Sequence, residues 1–432
     1  METTPSETPE KKTTWLQRLK DESWEAELLV SAVAIYAIFN TFSLFDWICN
    51  MFIDKLDPSQ YLIGYMITFL GFLAFGMLGA LFVIHFGLRA YWIGLVGLNS
   101  VFPDYSLEDS AYSRTFTEKM LNKLPRLQTS IINLDEICSV IFSVAFTLLL
   151  IYSYLGFVSS IYLLLFNLLS AYVTSYLLLI PLMIFAVIYI AQMILTIVAN
   201  IKKFKTNITI QTWYFQSTIL GSALLYGPLY KNLLQITMIF GSNFKKKKAL
   251  VRTMIFMLAF GALLGTFKLF NSNVLYLLGV NTNLDATKAY EFYYSTNNGE
   301  SKFLLTPEIQ TDFVESKAIQ LFIPIFDNEI SILEDVCGLN INRDFKKPKA
   351  AERNQIRESY LKCYTETHRI LLNENPVEVQ FLKTDHPITD QFGIKTFIDL
   401  SGLQNGNHTI TIFKKLGQEE EKAWKIPFYY SN

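Results

Sequence analysis

Charged side chains set within long apolar stretches are the residues of this sequence best placed to do chemistry. Ionisable groups at membrane depth are costly, so they are kept where they pair with one another, relay protons or bind ions. Glu27 stands at the start of the first apolar stretch, whose core LLVSAVAIYAIFNTF is bracketed by Trp24 and Trp47. His85 and Arg89 are four residues apart, hence on one helical face, at the end of the second stretch. If these two helices run antiparallel, Glu27 and Arg89 come close enough to pair. A structural ion pair is the expectation, with a proton or ion relay as the competing reading. Asp135-Glu136 precede the third apolar stretch and read as residues of the membrane interface. Lys231 is a further cation in an apolar stretch, beside a Gly227-Pro228 break and near Asn232 and Gln235. In a re-entrant segment it would suit an anionic substrate or headgroup; in a segment lying flat it would reach lipid phosphates, and the flat reading is preferred. Glu27, Arg89, Lys231 and Asn167 are the candidate intramembrane polar residues.

Motifs for known enzyme chemistries are missing. The four histidines, His85, His368, His386 and His408, form no H-x-x-x-H set, and there is no C-x-x-C pair, phosphate loop or dinucleotide fingerprint. No catalytic residue, metal site or cofactor is therefore expected. Lys245, Lys246, Lys247 and Lys248 with Arg252 read as a topology anchor touching anionic lipid headgroups, not as a nucleic-acid patch. Cys337 and Cys363 lie in a more polar region. In an oxidising compartment they would close a loop worth roughly 3 kcal/mol on a chain-entropy estimate.

The elements that must position these residues follow from composition. Of 432 residues, 51% are hydrophobic and only 17% charged, against about 25% charged for a soluble domain. No acid occurs between Glu136 and Asp285, and residues 137–201 carry no charge of either sign. That uncharged run is about three times the ~20 residues one helical crossing needs. The pattern predicts a polytopic α-helical membrane domain over 24–270, after a cytoplasmic tail at 1–23. Its spans are expected at 25–46, 61–84, 136–154, 176–200 and 250–270. Segments 85–98, 106–124 and 213–240 are expected to be interfacial or re-entrant, and 155–175 a short connection or re-entrant piece. No cleavable leader is expected, so the first span would act as the insertion signal.

Basic residues set the orientation. Lys11, Lys12, Arg18 and Lys20, the 85–135 loop, Lys202-Lys203-Lys205 and the four-Lys run all fall on one side if 213–240 does not cross. This gives five crossings, a cytoplasmic N-terminus and an outer C-terminal region. Small residues at Gly87, Ala90, Gly94 and Gly97, at Gly76 with Ala80, and at Gly261 with Gly265 would let helices approach closely.

After Phe270 the runs become strand-like: 289–294, 318–326, 377–382, 394–400, 408–415 and 424–430, separated by turns such as Asn405-Gly406-Asn407. A mostly β domain over 271–432 is expected, with an inserted helix at 349–372 whose apolar residues include Ile356, Tyr360 and Ile370. The spacing Leu403-x-x-Gly406-x-His408-x-Ile410-x-Ile412 resembles the penultimate hairpin of bacterial immunoglobulin-like domains. That resemblance implies a sandwich and no activity.

These readings point to a scaffold or accessory subunit of an envelope complex. Its outer β domain would bind a protein partner, and its helices would meet lipids or other subunits, so an oligomer is allowed. The expected location is the cytoplasmic membrane of a Gram-negative bacterium with the β domain in the periplasm, and the Lys, Asn, Ile, Phe and Tyr-rich composition suits an AT-rich genome. A transporter or channel built on 155–175 and 213–240 is the alternative, and a lipid-modifying enzyme comes third.

Overall fold

A computed structural model describes residues 23–102, 111–170, 172–243, 248–279, 288–295, 303–339, 350–415 and 421–431. It divides into two compact units, Met1–Asp46 with Met66–Ser272, and Trp47–Tyr65 with Asn273–Asn432. Five helices among the described residues are long and apolar enough to cross a membrane.

The first unit is helical. Helix α1 spans Trp24–Lys55 with no Gly or Pro to interrupt it, and α2 spans Tyr61–Val101. A short helix α3, Arg114–Leu121, is followed by α4, Leu127–Ser170, and α5, Ser175–Asn200. Then come α6, Ile208–Tyr226, α7, Tyr230–Asn243, and α8, Lys248–Phe270. Helices α1, α2, α4 and α8 share one core made by Ile38, Leu78, Leu81, Phe82, Ile141, Ala145, Met254 and Met257.

Glycine sets how closely α2 and α8 approach. A Cβ added at Gly76 would lie 2.5 Å from the Gly261 carbonyl and 2.7 Å from the Gly265 Cα. One added at Gly265 would lie 2.4 Å from the Phe72 carbonyl. Backbone therefore meets backbone, the arrangement small-xxx-small spacing permits.

Several expectations about the helices are corrected. Segment 85–98, expected to be interfacial or re-entrant, continues the second span without a break, and α2 is one 41-residue helix. The 136–154 span and residues 155–170 of the expected connection are likewise one 44-residue helix, α4. At 1.5 Å per residue α4 is about 66 Å long, roughly twice a hydrocarbon core of ~30 Å. The reason is local. Ser159 and Ser160 both donate to the Gly156 carbonyl and Ser170 donates to that of Asn167. The polar side chains that looked like a connection are satisfied by their own helix.

The interfacial helix expected over 106–124 begins only at Arg114, with Ser113 as its N-cap; its proposed start at Ser106 lies outside the described residues. Segment 213–240 is broken where expected. Gly227 takes a positive φ of 50° and leads into a short 3₁₀ turn, Gly227–Leu229. A side chain there would strike the Tyr154 ring, 2.2 Å from its Oη. Helix α6 does not stand apart from its neighbours. Gln211 Nε2 donates to the carbonyls of Ala199 and Phe204, and Gly221 gives way to Gln192. These contacts lay α6 lengthwise and antiparallel along α5.

In the second unit, two sheets share one core. One has the order β1-β3-β7-β6 and the other β2-β9-β8-β4-β5. The strands are β1 Glu308–Ile309, β2 Phe313–Val314, β3 Ala318–Pro324, β4 His368–Leu372 and β5 Asn375–Pro376. Then follow β6 Leu382–Asp385, β7 Phe392–Asp399, β8 Gly406–Lys415 and β9 Glu421–Tyr430. Ile319, Leu321 and Ile323 of β3 and Ile394 and Ile398 of β7 meet Ile370, Ile410, Ile412, Ile426 and Phe428 of the other sheet. All neighbours pair antiparallel except β2 with β9.

Two helices interrupt the strand order between β3 and β4: α9, Asp327–Val336, and α10, Ala350–Thr367. The helix expected over 349–372 thus ends at Thr367, because His368–Leu372 pairs with β8 instead. Residues 289–294, expected as a strand, contain a 3₁₀ turn, Glu291–Tyr293. The strand expected over 377–382 begins only at Leu382.

Gly76→Leu should destabilise the helical unit by at least ~1–3 kcal/mol, the usual cost of overpacking. Thermal unfolding of the purified protein in mild detergent measures this, and an unchanged midpoint would contradict the backbone contact.

Candidate functional site

The core of the helical unit ends in a cluster of charges. On α1, Glu27 and Ser31 are one turn apart and point along the same seam as Ile38. On α2, His85 and Arg89 continue the row begun by Leu78 and Leu81. On α4, Asp135 and Cys138 continue that of Ile141 and Ala145. Helical periodicity thus carries three apolar rows into one polar patch.

Arg89 is its centre and is 1% exposed. Its Nη2 donates to Glu27 Oε2 at 2.7 Å and its Nη1 to Asp135 Oδ1 at 2.6 Å. One guanidinium therefore holds a carboxylate from each of two other helices. The Trp92 ring lies 4.7 Å from the guanidinium carbon, and Trp24 packs on Trp92 at 6.0 Å. His85, fully buried, sits beside this pair. Its Nδ1 is 2.7 Å from Ser31 Oγ and its Nε2 is 3.6 Å from Glu27 Oε2. The Phe142 ring, 5.2 Å away, closes the other side.

The structure brings Glu27 and Arg89 together and adds Asp135, which the sequence reading had placed at the interface. The missed signal was the donor count of arginine: five N–H groups exceed what a single carboxylate accepts. Lys231 and Asn167 are not part of this cluster. Both are exposed, no bond joins them to Arg89 or Glu27 among the described residues, and Lys231 instead lies 5.9 Å from the Tyr230 ring centre. Lys248 and Arg252 are exposed in the first turns of α8; Lys245, Lys246 and Lys247 lie outside the described residues. No group of three or more His, Cys, Asp or Glu arranged to hold a metal occurs among the described residues.

The second unit carries two buried polar pairs of its own. Lys414 Nζ bonds Glu329 and the Pro324 carbonyl, while Glu329 also accepts from the Phe326 N–H at 3.0 Å. Burial pushes the Lys414 ammonium down from its ordinary value, against the opposing pull of Glu329. His386 Nε2 is 2.8 Å from Glu308 Oε1, and both are buried. Neither pair was singled out in the sequence, since their members lie 85 and 78 residues apart. Cys337 and Cys363 are joined as a disulfide with Cα atoms 5.7 Å apart, tying the end of α9 to α10. Near Lys414, burial and the ammonium's charge push His368 down to about 3, partly offset by its bond to the Tyr364 carbonyl.

Buried charge joins the helices of the first unit and the strands and helices of the second. No family model, curated protein or solved structure matches the chain.

Two measurements follow. Arg89→Gln leaves two partly buried carboxylates facing each other and should cost ~3–5 kcal/mol, the usual penalty for breaking a buried pair. The triple variant Glu27→Gln/Arg89→Gln/Asp135→Asn should recover part of that in detergent unfolding. If the triple variant is no more stable than Arg89→Gln, charge is not the cause.

The second concerns His368. Its folded form resists protonation down to about 3, whereas an unfolded histidine takes up its proton near 6.5. The unfolded chain therefore binds the extra proton as pH falls, and stability drops from about pH 6.5 toward pH 3. The slope from this group approaches ~1.4 kcal/mol per pH unit. His368→Phe should flatten the curve by that increment, and an unchanged slope would rule this origin out.

Proposed function

We propose that this chain is an integral-membrane scaffold or accessory subunit of a bacterial envelope complex. In this reading it crosses the cytoplasmic membrane five times, with a cytoplasmic N-terminus and a periplasmic, immunoglobulin-like sandwich that binds a protein partner. The membrane half packs against further subunits and against anionic lipid.

The observation that carries the reading is on α2. One small-residue face, at Gly76, is filled by α8 in backbone contact. The other, Gly87 with Ala90, Gly94 and Gly97, is open among the described residues, where a Cβ added at any of its three glycines meets nothing within 4 Å. Without a hydrophobic driving force between helices in lipid, such faces are where close packing is gained. Helix α5 adds weight. Leu182, Met183, Ile184 and Phe185 are consecutive and all exposed, so one turn presents apolar surface around its whole circumference. Two sheets sharing one core, ending in the β8–β9 hairpin, favour the sandwich part of the reading. Lys248 and Arg252 favour headgroup contact. The transporter alternative gains no such support, because Lys231 and Asn167 do not converge on a shared site.

The test is affinity purification from native membranes in mild detergent, with mass spectrometry of what remains bound. A stoichiometric membrane partner should appear with the native chain. Gly94→Leu, which has room for its side chain, should keep the unfolding midpoint and lose that partner. Recovery of the native chain alone would overturn the scaffold reading.

A further inference from the structure

The hydrogen bonds of the four histidines assign their protons, and one of them does not balance. His386 Nδ1 accepts from the Thr389 N–H, so the proton is on Nε2, which donates to Glu308. His408 Nδ1 accepts from Asn373, whose amide is oriented by the Thr409 N–H donating to its oxygen. The His408 proton is then on Nε2, donating to the Gln404 carbonyl. His368 Nδ1 donates to the Tyr364 carbonyl. Its buried Nε2 has no hydrogen-bond partner among the described residues, but it lies among the rings of Tyr364 and Phe381 and near the Lys414 cation. A bare nitrogen is suited to that place. Each of these three rings is complete with one proton.

His85 is different. Ser31 has a single hydroxyl proton, and its Oγ lies 2.7 Å from both the Glu27 carbonyl and His85 Nδ1. Both short contacts are satisfied only if Ser31 donates to the carbonyl and accepts from Nδ1–H. A neutral His85 would then turn the lone pair of Nε2, a buried atom, toward the Glu27 carboxylate 3.6 Å away. Two acceptors would face each other with no proton between them, a costly arrangement away from water.

We propose that the cluster is a proton-binding site, with His85 held as an imidazolium whose Nδ1–H donates to Ser31 and whose Nε2–H points at Glu27. The groups that face it are Glu27 and Ser31 of α1, Arg89 of α2, and Asp135, Cys138 and Phe142 of α4. The proton adds a second cation beside Arg89, facing the Glu27 carboxylate of α1. This assignment stands apart from the scaffold reading, since it rests only on hydrogen bonds within the chain.

The test is ¹⁵N spectroscopy of the full chain in lipid bilayers, labelled at histidine alone. A ring nitrogen with a proton and one without give well-separated signals. At pH 7.5 one histidine of the four should have both nitrogens protonated, and the other three should each show one bare nitrogen. The doubly protonated ring should vanish in His85→Gln. In Glu27→Gln, whose amide can donate to Nε2, it should become a singly protonated ring. The native spectrum needs no variant to fold, so it decides the first point by itself. Four bare nitrogens in that spectrum, or a doubly protonated ring that survives His85→Gln, would overturn the assignment.

Discussion

A guanidinium buried among apolar helices must be compensated where it stands, and the packing around Arg89 follows from that constraint. Its charge cannot be neutralised by losing a proton, so partners must come to it. Glu27 and Asp135 do so from two other helices at 2.7 and 2.6 Å. This fixes both the rotation and the depth of α1 and α4 against α2, which apolar contacts alone leave loosely determined. Leucine and isoleucine rows tolerate sliding, whereas a forked set of N–H donors accepts few geometries. The cluster thus adds register more than it adds stability, since buried ion pairs seldom outperform a well-packed apolar replacement.

The same logic recurs in the sandwich with lysine as the cation. Lys414 reaches Glu329, which itself accepts from the Phe326 backbone. The ammonium thereby links the last full strand pair to the entrance of α9. The insertion between β3 and β4 also packs into the shared core through Leu333, Cys363 and Tyr364. The Lys414 link at its start and the Cys337–Cys363 bond within it give it two anchors of different kinds. Asn328 supplies a third, donating to the carbonyls of Ile53 and Leu56 and to the Tyr61 hydroxyl in the same unit.

How much of this was legible in the sequence varies with the range of the interaction. The pairing of Glu27 with Arg89 could be read because both sit at ends of apolar runs, and adjacent helices meet there if antiparallel. Asp135 could not, because a carboxylate ahead of an apolar run looks the same whether it faces headgroups or a neighbouring helix. The difference is the rotation of α4, which only tertiary packing sets. The division of α4 failed for another reason. Serine, threonine and asparagine lower apolarity, but in a helix they can bond to the preceding turn, so their presence does not mark an end. His368–Leu372 continued a helical pattern by spacing and was claimed as strand by β8. Here pairing partners overrode local preference. The Gly227-Pro228 break was legible because glycine and proline act locally, through φ and the missing N–H.

Helix α2 shows why the charge cluster and the glycine faces belong to one design. In lipid, apolar side chains gain little by leaving the membrane for a neighbouring helix, so specificity has to come from close backbone approach or from polar bonds. Between Gly76 and His85 the helix changes from the first device to the second. Near Gly76 the α8 backbone comes into contact, with no polar group needed. At His85 and Arg89 bulky polar side chains prevent such approach, and bonds to α1 and α4 replace it. Beyond Arg89 the glycines resume at Gly94 and Gly97, and no helix among the described residues fills them. Helix α2 thus satisfies its neighbours within the chain by two different means, backbone contact at Gly76 and buried charge at His85 and Arg89.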